Sequence, residues 1–165
     1  MTPIAVMMAK KAKGILAADD KVPAVLAALA MQEEMQLPRL AADHIVAQNV
    51  AAELSEKSLG TKYPVLYVYC NKIVNELREK FRRFSGQAQM VVEARVSQDR
   101  LEDIETNLQV YVDAITQVLD GSRGDWGDGV MYGGGYEVTF GGVKHGGRNF
   151  IQTAKVSFAV EISAD

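Results

Sequence analysis

An α+β fold, with a mostly antiparallel or mixed β-sheet flanked by helices and an N-terminal helical region, follows from three observations. Residues 1–58 are rich in alanine and other strong helix formers, among them Ala24, Ala27, Ala28 and Ala30 beside Val25 and Leu29. Leu101, Ile104, Leu108, Tyr111, Ile115 and Val118 step by three and four and make one apolar stripe. Two later runs alternate between apolar and polar residues, as half-buried strands do. The expected division is an N-terminal helical region over residues 1–60 and an α+β domain over 61–165, packed as one domain.

In chain order, the first two helices are punctuated by Gly14, Asp19, Asp20 and Pro23. A third is expected from Pro38, which suits a first helical turn, to about Lys57, because Val46, Val50 and Leu54 recur every fourth residue. Leu59 and Gly60 would end it. The run Val65, Leu66, Tyr67, Val68, Tyr69 is continuous in β-branched and aromatic residues, as expected of a central strand covered on both faces. Residues 71–84 fit either a helix, through Ile73, Leu77, Phe81 and Phe84, or an irregular arm between two strands.

The next strand sets Ala88, Met90, Val92, Ala94 and Val96 on a core face and Gln89, Glu93 and Arg95 on a wet one, with Val91 the exception. Asp99, with Glu102 three residues on, reads as the cap of the helix that carries the apolar stripe. Residues 136–140 form a strand with Tyr136, Val138 and Phe140 on one face. Residues 152–163 form another, alternating Ala154, Val156, Phe158, Val160 and Ile162 with Thr153, Lys155, Ser157 and Glu161. A strand this long at the end of the sequence can pair with another subunit as readily as with its own sheet.

Composition narrows the function. With 165 residues, 48% of them hydrophobic, the chain can build a core without metals or disulfides, and Cys70 alone forms no internal bridge. A net charge of −3 does not mark a duplex binder. The longest apolar run, residues 22–31, falls short of a membrane span, and the first 13 residues lack the order of a signal peptide, so the chain is expected to be cytosolic at synthesis.

No catalytic, cofactor or metal constellation emerges. His44 and His145 stand apart, without partners at metal-ligand or triad spacing. The loop that begins at Asp120 has acids spaced among glycines like a calcium loop. Ser122 and Met131, however, occupy the third and twelfth positions, where an EF-hand needs acids. Arg123-Gly124-Asp125 lacks any secretory context, and the glycine clusters lack the Gly-Lys-Ser/Thr of a phosphate loop.

The remaining features suit partner contact. Arg78, Lys80, Arg82 and Arg83 interleave with Phe81 and Phe84 in one basic and aromatic arm. Glu102, Asp103, Glu105 and Asp113 make the following helix acidic. Eleven of the 14 glycines fall between Gly121 and Gly147, where mobile loops would order against a neighbour. That segment adds Trp126, Tyr132, Tyr136, Lys144, His145 and Arg148 as contact candidates.

Four stretches carry a resemblance: Tyr63-Pro-Val-Leu-Tyr-Val-Tyr; Arg78-Glu-Lys-Phe-Arg-Arg-Phe-Ser-Gly; Val92-Glu-Ala-Arg-Val-Ser; and Gly135-Tyr-Glu-Val-Thr-Phe-Gly-Gly-Val-Lys before a long last strand. In element order and in these motifs, residues 60–165 resemble the tail-terminator or neck (head-tail joining) proteins of tailed bacteriophages. The resemblance implies a non-enzymatic virion protein that forms a ring, usually a hexamer, binding the tail tube and the head-tail connector. DNA would pass through the ring without specific recognition. It implies no cofactor, no membrane, and assembly in the host cytoplasm. Other neck, head-completion or tail-tube subunits share the pattern, and a small calcium- or ligand-binding module built on residues 120–128 is the alternative from another class.

Overall fold

The computed structural model describes residues 3–51 and 62–165. The α+β architecture is as expected: a curled, mixed sheet with helices against one face. Helix α1 (Ile4–Ala17) buries Met8, Ala12 and Leu16. Helix α2 (Val22–Gln32) opens with Pro23 in its first turn, where no backbone N–H is required, and buries Val22 and Leu26. Strands β1 (Ile45–Val46), β2 (Val65–Asn75) and β3 (Phe84–Gln98) follow, then helix α3 (Ile104–Asp120). Four short strands, β4 (Gly124–Gly127), β5 (Val130–Tyr132), β6 (Glu137–Phe140) and β7 (Lys144–Gly146), lead into β8 (Asn149–Ala164).

The sheet runs β1-β2-β3-β8-β5-β4, with β6 and β7 also on β8. Strands β3 and β8 are antiparallel and in register from Phe84 opposite Ala164 to Gln98 opposite Phe150. The alternation predicted for both strands is therefore shared: Met90 faces Phe158, Val92 faces Val156, and both pairs lie in the core. That core also takes Leu66 and Val68 from β2 and Leu108, Ile115 and Leu119 from α3, all on the helical side. The last strand is thus consumed by its own sheet, with β3 along one edge and β5, β6 and β7 along the other.

Three expectations are corrected. Residues 38–51 do not form a helix; a 3-10 turn (Ala42–His44) leads into β1, which pairs parallel to β2 through Ile45 opposite Leu66. Val46 ends β1, Gln48 N–H turns back to Val46 O at 3.0 Å, and Val46 and Val50 both pack against the outer cluster of Val65, Tyr67, Tyr69 and Val91. Leu54, Lys57 and the Leu59-Gly60 end lie outside the described residues.

Residues 71–84 are a hairpin arm rather than a helix, because β2 and β3 stay paired out to Asn75 opposite Gly86. The third correction concerns the cap. Helix α3 begins at Ile104 after Asp103, whose φ is 65°, and Asp99 makes no cap. Gln98 takes up the intervening turn, its Nε2 donating to the carbonyls of Arg100 and Glu102 at 2.7 Å each. Leu101 thereby leaves the apolar stripe and stands 58% exposed.

The glycine-dense segment folds back on β8. Trp126, Tyr132 and Phe158 form an aromatic cluster with ring centroids 5.3–6.1 Å apart. The Trp126 Nε1 donates to Ser122 O at 2.7 Å, and the buried Tyr132 hydroxyl donates to Gly135 O at 2.9 Å. Tyr132→Phe keeps the ring and loses that bond, so it is expected to lower stability by about 1 kcal/mol in urea unfolding. An unchanged midpoint would show that the bond does not hold the 133–135 turn.

Candidate partner interface

The arm begins where β2 leaves the helical layer. A bulge between Cys70 and Lys72 shifts the register, and from Asn71 onward the strand is exposed. Cys70 is half-buried at this point, and burial pushes its thiol pKa up.

Polar side chains fasten the tip, residues 76–83. The Asn75 Oδ1 accepts from the backbone N–H groups of Leu77 (3.2 Å) and Ser85 (3.1 Å), and its Nδ2 donates to Arg83 O at 3.0 Å. The Ser85 Oγ accepts from Glu79 N–H at 2.9 Å. Arg78 pairs with Glu76 (2.7 Å) and Glu161 (3.4 Å), and Arg82 with Asp165 (2.7 Å) and Glu79 (3.6 Å). Glu76 bonding, with Glu161 behind it, raises the Arg78 pKa.

Within this laced turn, Leu77 and Phe81 sit at φ 51° and 68°, a region that bulky L-residues seldom enter. Phe81 is 100% exposed and Leu77 67%. An aromatic ring at a strained backbone position thus stands fully in solvent, the reverse of what folding alone would favour. Lys80 and Arg83 stand on the same tip and form no ion pair among the described residues.

Of the other candidates, Phe84 is 5% exposed and Tyr132 1%, so both belong to the core; a partner cannot reach them without opening it. Trp126 is half-buried in the aromatic cluster. Lys144, His145 and Arg148 are exposed on the β7–β8 hairpin, with the His145 ring 5.4 Å from that of Phe150. Tyr136 is 40% exposed and borders a cleft of about 460 Å³ on the outer sheet face, between β2 and β6.

Glu102, Asp103 and Glu105 are exposed where α3 begins, far from the arm along β3. The 15 residues of β3 separate the two ends by about 50 Å. Glu105, in the first helical turn, is also favoured by the helix dipole.

The acids of the 120–128 loop face three ways. Asp120 lies 3.6 Å from Arg123, the Asp125 Oδ1 accepts from Gly127 N–H at 2.8 Å, and Asp128 pairs with Lys11 at 2.9 Å. Lys11 bonding lowers the Asp128 pKa. Among the described residues no cluster of three or more His, Cys, Asp or Glu is placed to hold a metal, and no helix is long and apolar enough to cross a membrane.

The outer face of β3 holds a feature that the alternation concealed. Glu93 and Arg95, expected to be wet, are 6% and 3% exposed. The Arg95 Nη2 donates to Glu93 Oε2 at 2.7 Å and to Val50 O, its Nε to the same carboxylate at 3.2 Å, and its guanidinium lies 4.5 Å from the Tyr67 ring centroid. The Tyr69 hydroxyl donates to Glu93 Oε1, and Lys155 Nζ lies 3.5 Å from that oxygen. Burial opposes ionisation of Glu93, yet Tyr69, Arg95 and Lys155 outweigh it and hold its carboxyl below the usual range. Burial and the Glu93 charge push the Tyr69 hydroxyl pKa up. Val91, the break in the alternation, was the sequence mark of this second buried surface.

No protein-family model matches the sequence, and no curated protein is significantly similar to it. Among solved structures, a chain of one described as "Virion of native gene transfer agent (GTA) particle" aligns with a TM-score of 0.48 and 14% identity, over 97% of this chain and 92% of that chain. A likeness this loose carries no function from one chain to the other.

Proposed function

We propose that this chain is a structural, non-enzymatic subunit of a phage-type virion, a tail-terminator or neck protein that closes into a ring with copies of itself. The observation that carries the proposal is the arm, which holds Phe81 and Leu77 in solvent at the cost of two strained backbone positions. Such a projection has no role inside one copy and is suited to contact with another molecule. The sequence resemblance over residues 60–165 supplies the setting: a ring, hexameric in the simplest case, between tail tube and head connector. The ring would assemble in the host cytoplasm and pass into the virion.

The basic tip and the acidic start of α3 lie at opposite ends of β3, so contact between them joins unlike surfaces. Interfaces of that kind close into rings when the rotation per subunit permits. Reversing charge with Arg82→Glu and Arg83→Glu is expected to reduce the light-scattering mass of the assembled protein and to remove annular particles from negative-stain images. An unchanged mass would contradict the role given to the arm.

A further inference from the structure

We infer that the arm of one copy inserts Phe81 into a groove between α2 and α3 of a second copy of this chain, an inference that rests on the ring reading above. The groove has a volume of about 470 Å³; Leu29, Met35 and Val110 line it, and Glu33, Glu105 and Asp113 stand at its rim.

Arm and groove are complementary in two respects. The arm offers an exposed aromatic ring among cations, and the groove offers an apolar floor among anions. The charges left over on each side also match. Arg78 and Arg82 are engaged by acids of their own chain, which leaves Lys80 and Arg83 to find partners elsewhere. Glu33 and Glu105 have no cation of their own chain among the described residues, and the Asp113 carboxylate accepts from the uncharged Gln109 amide at 2.7 Å.

Position selects the occupant. The groove adjoins the first half of α3, the helix that follows the Gln98 end of β3, and the tip lies beyond the Phe84 end. One copy therefore cannot fill its own groove, but a neighbour displaced along the strand direction can. Each copy then gives an arm and receives one, as a closed ring requires.

Paired cysteines test this. Lys80→Cys and Gln109→Cys, both at exposed positions and both in a Cys70→Ser background, are mixed and mildly oxidised. The expected product is a band at twice the 18.0 kDa chain mass, formed from the mixture and from neither protein alone. Phe81→Ala should weaken association about 30-fold or more, the effect of removing an interface anchor, while leaving the melting temperature of the dilute, dissociated chain unchanged because the ring is 100% exposed within its own copy.

Assembled protein that gives no mixed cross-link would overturn this groove and leave the ring reading standing. Cross-linking of Lys80→Cys to itself would replace head-to-tail contact with a two-fold one. A protein that stays monomeric at all concentrations would overturn both.

Discussion

Replacing Arg95 by methionine is expected to destabilise the fold by about 3–5 kcal/mol, a large share of a domain's 5–15 kcal/mol. The loss is not mainly that of a contact. Glu93 is 6% exposed in the native fold, and without the guanidinium the Tyr69 hydroxyl and the more distant Lys155 are left, among the described residues, to offset its buried charge. Replacing both partners, with Glu93→Leu added to Arg95→Met, is expected to recover most of the loss, because an apolar pair leaves no carboxylate in the cluster.

The pH dependence has a definite sign. A carboxyl held below its ordinary 4.5 contributes stability that is present above that value and is lost as pH falls through the lowered one. The variant gives up that contribution and is relieved when Glu93 takes a proton. Its deficit against the wild type should therefore be largest near neutrality and shrink as pH falls below the ordinary 4.5 of this carboxyl. Urea unfolding at pH 7 and pH 3 measures it, and equal deficits at the two values would show that Glu93 is not the group left uncompensated.

Gly86→Ala is expected to cost on the order of 3 kcal/mol and to release the arm. A Cβ on Gly86 would lie 1.9 Å from Val74 O and 2.9 Å from Glu76 N, both backbone atoms that cannot swing aside. Relief requires β2 and β3 to separate at the base of the tip, so hydrogen exchange should rise in residues 72–87 before it rises elsewhere. Gly142→Ala is the control. A Cβ there meets nothing within 4 Å, and the change should stay within about 0.5 kcal/mol. Equal behaviour of the two variants would contradict the close approach at Gly86.

How far these features could be read from the sequence depended on which period governed each segment. Strands β3 and β8 were legible because one of their faces is core throughout; along β8 alternation and burial coincide, whereas β3 is buried on both faces from Met90 to Val96. The stripe of α3 was legible for the same reason at the helical period, apart from Leu101, which Gln98 draws into a turn.

The fourfold spacings at Val46 and Val50, and at Ile73, Leu77 and Phe81, did not become helices: Val46 and Ile73 lie in strands, and Leu77 and Phe81 in a turn at positive φ. Long-range pairing decided between helix and strand. Ile45 and Val46 are held by β2, and residues 71–75 by β3.

The interface was legible in part. Charge and aromatic content marked the arm, yet Phe84 and Phe81, three residues apart, separate into core and solvent at a turn whose φ values the sequence does not announce. The groove was not legible at all. Leu29 and Met35 belong to the segment around the end of α2 and Val110 to α3, and only tertiary packing brings them together. Glu93 and Arg95 were read as wet because a charged pair two apart on a strand ordinarily is. Their burial depends on Val46 and Val50 covering the outer face.

Self-association through unlike surfaces is the central claim, and native mass spectrometry of the full chain addresses it most directly. The expected spectrum is dominated by one closed species, a whole-number multiple of the 18.0 kDa chain and a hexamer in the simplest case, which Phe81→Ala converts to monomer. A wild-type spectrum of monomer alone at every concentration, or an assembly untouched by loss of Phe81, would contradict it.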